Sequence, residues 1–123
     1  MGAYDMLKKI IGIILSLIIL FIIVAGAFFA FKGYQKTQNL KMIDQYLTEN
    51  HLKDKVIEEK EEYDPRKGIF YKELTLEGDT KNTYIAQPIH MKRGFFLQGF
   101  NTETKKHDKK AKYSFFDEDY KLK

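Results

Sequence analysis

Hydrophobic and polar residues follow two different regimes along this chain. Residues 10–31, IIGIILSLIILFIIVAGAFFAF, form an unbroken apolar run with no charge, one hydroxyl (Ser16) and two glycines, Gly12 and Gly26. Beyond Lys32 the composition turns to Lys, Glu, Asp and Tyr, with apolar residues recurring at short intervals. A helix of this run is about 33 Å long at ~1.5 Å per residue, which matches a hydrocarbon layer of about 30 Å. A helix also bonds all of its own amides, as that layer requires. A helix apolar on every side needs an apolar surround, and the polar remainder is too small to wrap it. The pattern therefore predicts a transmembrane anchor over 10–31, preceded by an N-terminal tail, residues 1–9.

A cleaved signal peptide is the rival reading. Lys8 and Lys9 form a basic n-region, and Ala25-Gly26-Ala27 offers a small-x-small cleavage site. Against it, the apolar run continues through Phe28, Phe29, Ala30 and Phe31, longer than a usual h-region of about 7–15 residues. With no Cys in the chain, a lipoprotein anchor, disulfides and thiolate metal sites are excluded. Lys8 and Lys9 before the span are balanced by Lys32, Lys36 and Lys41 after it, so the charge rule alone barely discriminates. Long domains translocate largely regardless of charge, and the expected topology is N-terminus cytoplasmic, C-terminal domain extracytoplasmic.

In the soluble part, YQKTQNLKMIDQYLTE (34–49) reads as a helix, with Leu40, Ile43 and Leu47 on one face and Tyr46 beside them. This juxtamembrane helix, residues 32–50, either continues from the span or joins it at Gly33. Asn50 is the expected left-handed stop. Residues 52–63 predict a short helical turn and then a polar strand ending at Tyr63. Asp64-Pro65-Arg66-Lys67-Gly68 is a turn. Strands follow over 69–76, 83–89, 95–100 and 111–116, separated by turns at 78–82 and 92–94 and a polar loop at 101–110. DEDYKLK, residues 117–123, is expected as a frayed tail.

One helix followed by short strands predicts an α+β fold, with the juxtamembrane helix packed on a small antiparallel sheet of about four to five strands within residues 51–116. The expected core is Leu40, Ile43, Leu47, Val56, Phe70, Leu74, Leu76, Tyr84, Ile85, Phe95, Leu97 and Phe115. Such a core is thin, as it is for any domain of this size.

The order of a Lys-containing tail, a single span, a helix ending in QYLTEN, and then EEYDPRKGIFYKELTLEGD with a following Tyr84 carries a resemblance. The chain resembles a domain-of-unknown-function family of small single-span membrane-anchored proteins of Firmicutes. The likeness extends over most of residues 1–100, and its sharpest part is Tyr63, Asp64 and Gly68 in YD-x-x-x-G. The resemblance implies a membrane-attached, envelope-facing protein. It implies no activity and no catalytic residues.

The residues themselves carry no catalytic set. Ser16 lies in the span and Ser114 in an expected strand, neither in a nucleophile elbow. His51, His90 and His107 are far apart, without metal-ligand spacing. Glu58-Glu59, Glu61-Glu62 and Asp117-Glu118-Asp119 lack the glycine of a calcium loop and read as solvated faces. No phosphate-binding glycine motif is present. Neither cofactor nor metal is expected, and the chain reads as not an enzyme.

Two features suggest contacts instead. Lys105, Lys106, Lys109, Lys110 and Lys112 form a basic run that could meet anionic lipid headgroups or wall polymers. The alternative is a solvated hairpin tip. Paired aromatics on two-sided strands leave one ring of each pair facing away from the core, which nominates Phe96, Phe100 and Phe116 as an interaction surface. The soluble part carries 18 Lys+Arg (21 without Lys8, Lys9 and Lys32) against 16 Asp+Glu (17 without Asp5). That balance is not a nucleic-acid footprint. Gly12-x3-Ser16 and Gly26-x3-Ala30 are spacings that permit close helix approach, though nothing further supports a homodimer.

The expectation is therefore a single-pass membrane protein whose partners are membrane lipid and another envelope protein or peptide. Its extracytoplasmic domain is read as a non-enzymatic binding or accessory module. A small immunity protein against membrane-active peptides and a secreted protein released by signal-peptide cleavage are the alternatives.

Overall fold

The computed structural model describes residues 2–123 and divides into two units, Met1–Tyr34 and Gln35–Lys123. Helix α1 (Gly2–Glu49) supplies the first unit and the opening helix of the second. In the first unit the side chains from Ile10 to Val24 stand exposed. The helix is long and apolar enough to cross a membrane. The Ser16 hydroxyl donates to the Gly12 carbonyl at 2.9 Å, so its polar hydrogen is satisfied within the helix.

The second unit is α+β. After α1 come a short 3-10 turn (Lys53–Lys55) and six strands: β1 (Val56–Asp64), β2 (Ile69–Leu76), β3 (Asn82–Pro88), β4 (Arg93–Asn101), β5 (His107–Asp108) and β6 (Phe115–Lys121). The sheet is antiparallel in the order β1-β2-β3-β4, and both β5 and β6 pair with β4. Strands joined by tight turns pair with their sequence neighbours because short connections leave few alternatives.

The helix covers one face of this sheet through Asn39, Met42, Ile43, Tyr46 and Leu47. These pack with Leu52, Leu74, Leu76, Tyr84, Ala86, Phe95, Leu97 and Ala111. The expected core holds at Ile43, Leu47, Leu74, Leu76, Tyr84, Phe95 and Leu97, while Leu40, Val56 and Phe115 are only partly buried. Tyr84 and Ile85 are adjacent on β3, so they point to opposite faces. Tyr84 is fully buried and Ile85 half-buried. Asn39 enters the helix stripe because its Oδ1 accepts the Phe70 amide at 3.0 Å.

Of the two readings at Gly33, the continuous helix is the one found. Two boundaries depart from the sequence expectation. The left-handed residue that ends α1 is His51 (φ 56°), not Asn50. Asn50 instead donates its side-chain amide to the Tyr46 carbonyl at 2.9 Å. Leu52 N–H bonds to Leu47 O at 2.8 Å and His51 N–H to Thr48 O at 3.3 Å, the paired closure of a Schellman stop. The second departure is the C-terminus. Residues 111–114 are turn, and the strand runs through Phe115–Lys121, where a frayed tail was expected. The polar segment is held by α1: Gln45 Nε2 donates to the Tyr120 hydroxyl at 3.0 Å and to Lys121 O at 2.9 Å. Gln45 Oε1 accepts the Lys123 amide at 2.9 Å.

Gly99 on β4 lets β4 approach Ala111 closely. A Cβ at residue 99 would lie 2.6 Å from Ala111 Cβ and 3.3 Å from the Tyr84 ring. Gly99→Ala is expected to destabilise the domain by about 1–3 kcal/mol through overpacking. Gly99→Ala with Ala111→Gly should recover much of that loss. Urea unfolding of the full chain in detergent, followed by circular dichroism, measures both. An unchanged midpoint for Gly99→Ala would contradict the close approach.

Candidate functional site

Alternation along the strands sends Phe96, Gln98 and Phe100 of β4 to the face opposite α1. Register places Thr83, Ile85 and Gln87 of β3 beside them, and Phe116 of β6 opposite Phe96. Tyr71 and Glu73 of β2 continue the same face. No element covers it among the described residues. Phe96 and Phe100 are half-exposed, and Phe116 is 58% exposed. The structure thus brings all three nominated aromatics onto one open face.

Two recesses shape this face. One, about 290 Å³, is lined by Glu73, Thr83, Ile85 and Phe100 together with Asn101, Thr102 and Lys105. The other, about 500 Å³, lies around Phe96, Phe116, Ile89 and Arg93. The Phe100 ring rests 5.1 Å from the His107 ring, which fixes one wall of the first recess. The mixed lining suits an apolar side chain flanked by hydrogen-bonding groups.

The five lysines of the basic run do not surround one point. Lys105 lines the recess at Phe100, whereas Lys110 and Lys112 line a separate polar hollow of about 470 Å³ with Asp79, Lys81 and Asp108. Lys106 and Lys109 are exposed and line none of these three cavities. Among the described residues none of the five forms an ion pair, although the Lys112 ammonium lies 5.4 Å from the centre of the Tyr113 ring. Two short runs of the loop are tied down. Asn101 Oδ1 accepts the Glu103 and Thr104 amides, and Asp108 Oδ1 accepts the Lys110 amide.

A buried polar network lies behind that hollow, and the sequence offered its members separately, Asp79 and Asn82 in a turn, Tyr84 in the core and Asp108 in a polar loop. Asn82 is 1% exposed and donates Nδ2 to Asp79 Oδ2 at 2.9 Å and to Asp108 Oδ2 at 3.0 Å. The Tyr84 hydroxyl also donates to Asp79 Oδ2, and it accepts the Tyr113 amide at 3.2 Å. The network ties the β2–β3 turn to the segment leading into β6. Burial pushes the Asp79 carboxyl up, but hydrogen bonds from Tyr84, Asn82 and the Lys112 amide outweigh it and leave its pKa below the usual value. Burial, then the Asp79 carboxylate, holds the Tyr84 phenol well above its usual value. No local motif marks these four residues, because their spacing is that of any Asp/Asn turn beside a strand.

His51 sits at the helix stop, His90 in the β3–β4 turn and His107 on β5. Among the described residues no three His, Asp or Glu side chains converge as metal ligands. Ser114 lies exposed in the turn before β6.

The Asp79 network sets a pH dependence. A depressed folded-state pKa means its contribution is fully present above the unfolded value, about 3.8, and is lost as pH falls through the lower folded value. Asp79→Asn is therefore expected to destabilise the domain at neutral pH by about 1–3 kcal/mol, since a charged acceptor is lost from buried donors. The variant should also lose less further stability than the parent between about pH 5 and about pH 2. Urea titrations at several pH values measure this, and parallel acid profiles would exclude it.

No curated protein and no solved structure matches the chain. The family described as "Protein of unknown function (DUF3139)" matches residues 8–86, from the last residues of the N-terminal tail through α1 to β3, and the chain belongs to that family.

Proposed function

We propose that the chain is a single-pass membrane protein whose C-terminal unit is a non-enzymatic binding domain on the extracytoplasmic side. Residues 10–31 form the anchor in this reading, and the N-terminus is cytoplasmic. The observation that carries it is the open sheet face bearing Phe96, Phe100 and Phe116, opposite the face on which α1 packs. Half-exposed aromatics beside shaped recesses are what protein partners bury as anchors. The apolar helix supports the membrane attachment, because its side chains have no protein surround within their own unit. The partner class that fits is another envelope protein or a peptide.

The basic run favours a second reading, contact with an anionic surface. Lys105, Lys106, Lys109, Lys110 and Lys112 have no carboxylate partners among the described residues, so their charge is available to headgroup or wall phosphates. A protective role against membrane-active peptides would use the same charges.

Attachment and topology are checked together. The full chain should sediment with membranes, resist alkaline extraction, and lose a C-terminal tag to protease added to intact cells. A tag protected in intact cells and digested only after lysis would reverse the topology, and a soluble full-length product would remove the anchor.

For the binding face, crosslinking in intact cells followed by mass spectrometry should recover a specific partner with the parent chain. Phe96→Asp and Phe116→Asp should each lower that recovery by about tenfold or more, the scale of a lost anchor, with the circular dichroism spectrum unchanged. Equal recovery with both variants would eliminate this face.

A further inference from the structure

The sheet has one long open edge. β1 pairs only with β2, and from Glu58 to Asp64 the register is uninterrupted over seven consecutive pairs. The irregularity between Val56 and Glu58 is confined to the strand's beginning, at Ile57. Seven residues at ~3.3 Å each present about 23 Å of edge backbone whose outward N–H and C=O groups meet no neighbouring strand. Such an edge is a template for another strand, and its side chains decide which one.

Those side chains are acidic. Glu58, Glu59, Glu61 and Glu62, with Asp64, are opposed along the strand only by Lys60. Alternation places Glu58 and Glu62 on the open face of the sheet, and Glu59 and Glu61 on the side of α1. Lys72, Lys36 and Lys60 pair with Glu59, Glu61 and Glu62 at 3.1, 3.5 and 2.8 Å. The first two carboxylates are about half exposed, and surface pairs of this kind hold weakly and exchange readily. Glu58 has no ion pair among the described residues.

The same charges disfavour a second copy of the chain. Pairing β1 with another β1 would set Glu58–Glu62 against themselves. Pairing it with β6, the strand that flanks the opposite side of β4, would set them against Asp117, Glu118 and Asp119. Like charges directly opposite on a sheet are destabilising. An incoming strand of opposite charge meets neither obstacle.

We propose that the open edge of β1 docks an extended cationic peptide as an added strand. Backbone bonding to the edge supplies affinity for any extended chain, and the glutamates select lysine- or arginine-rich ones. Two strands, β2 and β3, separate the docking edge from β4 and its Phe96, and Phe116 lies beyond β4 on β6; the edge uses none of Phe96, Phe100 and Phe116.

The test uses the full chain in nanodiscs of zwitterionic phosphatidylcholine, which do not themselves attract a cationic peptide. Two labelled octapeptides of equal charge are compared by fluorescence anisotropy, one alternating lysine with valine and the other lysine with proline. The valine peptide is expected to bind at least about tenfold more tightly, because the proline peptide lacks half of its backbone donors. Binding should weaken at least about tenfold in a Glu58→Lys/Glu62→Lys variant and with rising salt. Hydrogen exchange should slow at the backbone amides of residues 58–64 when the valine peptide is present. Phe96→Asp should leave all of this unchanged, which separates this edge from the proposed face. Equal affinity for both peptides, no binding of either, binding indifferent to the charge reversal, or protection elsewhere in the sheet would each overturn the proposal.

Discussion

Tyr46 stands where the helix meets the sheet. Its ring lies 4.5 Å from that of Phe115, 4.7 Å from Phe95 and 5.9 Å from Tyr120, so one helical side chain touches β4 and both halves of β6. Each such contact adds about 0.5–1.5 kcal/mol beyond the area it buries. In a core built largely from one helix and one side of one sheet, no second layer exists to compensate for its loss. Burial pushes the Tyr46 phenol up to about 12, so it stays neutral well into alkaline conditions. The same ring explains why β6 belongs to the domain at all. Phe115 and Tyr120 sit on either side of the acidic Asp117–Asp119 stretch, and both rings close on Tyr46.

Covering one face of a sheet with a single helix has a cost and a consequence. The cost is a small core, offset by polar ties at its edges: Gln45 to the last strand, Gln35 to Gly68, and Asn82 with Tyr84 to Asp79. The consequence is an uncovered face, where alternation exposes one ring for each ring it buries. Phe95 and Phe96 make the point on adjacent residues, the first fully buried and the second half-exposed beside Phe116. Recesses and open aromatics on that side are thus a geometric product of the same packing that stabilises the other side.

Much of this architecture was legible from local signals. Alternating strands and their turns were readable because Asp64-Pro65 with Gly68, and Arg93-Gly94, impose backbone geometries that few other residues allow. Gly68 and Gly94 do adopt positive φ, at 66° and 84°. Errors fell where a long-range contact overrode local character. DEDYK has little apolar content, yet it is a strand because Tyr120 reaches Tyr46 and Gln45 supplies backbone partners. Asn39 is absent from the expected core and Asn82 lies in an expected turn, yet both are buried, since each meets donors or acceptors distant in the chain. The three nominated aromatics did converge on one face, because strand alternation and register are themselves periodic. The five lysines did not, because a loop has no such period.

By itself the sequence determined that one N-terminal stretch is a helix apolar on every side, and that the rest is a helix followed by short antiparallel strands. Both are properties of nearest neighbours and simple periods. Only the tertiary structure decided that the acidic C-terminal segment joins the sheet and that Asp79, Asn82, Tyr84 and Asp108 form one network. It also decided that β1 is left with an open edge. Those outcomes depend on which groups meet across tens of residues, where burial and hydrogen-bond satisfaction outweigh local propensity.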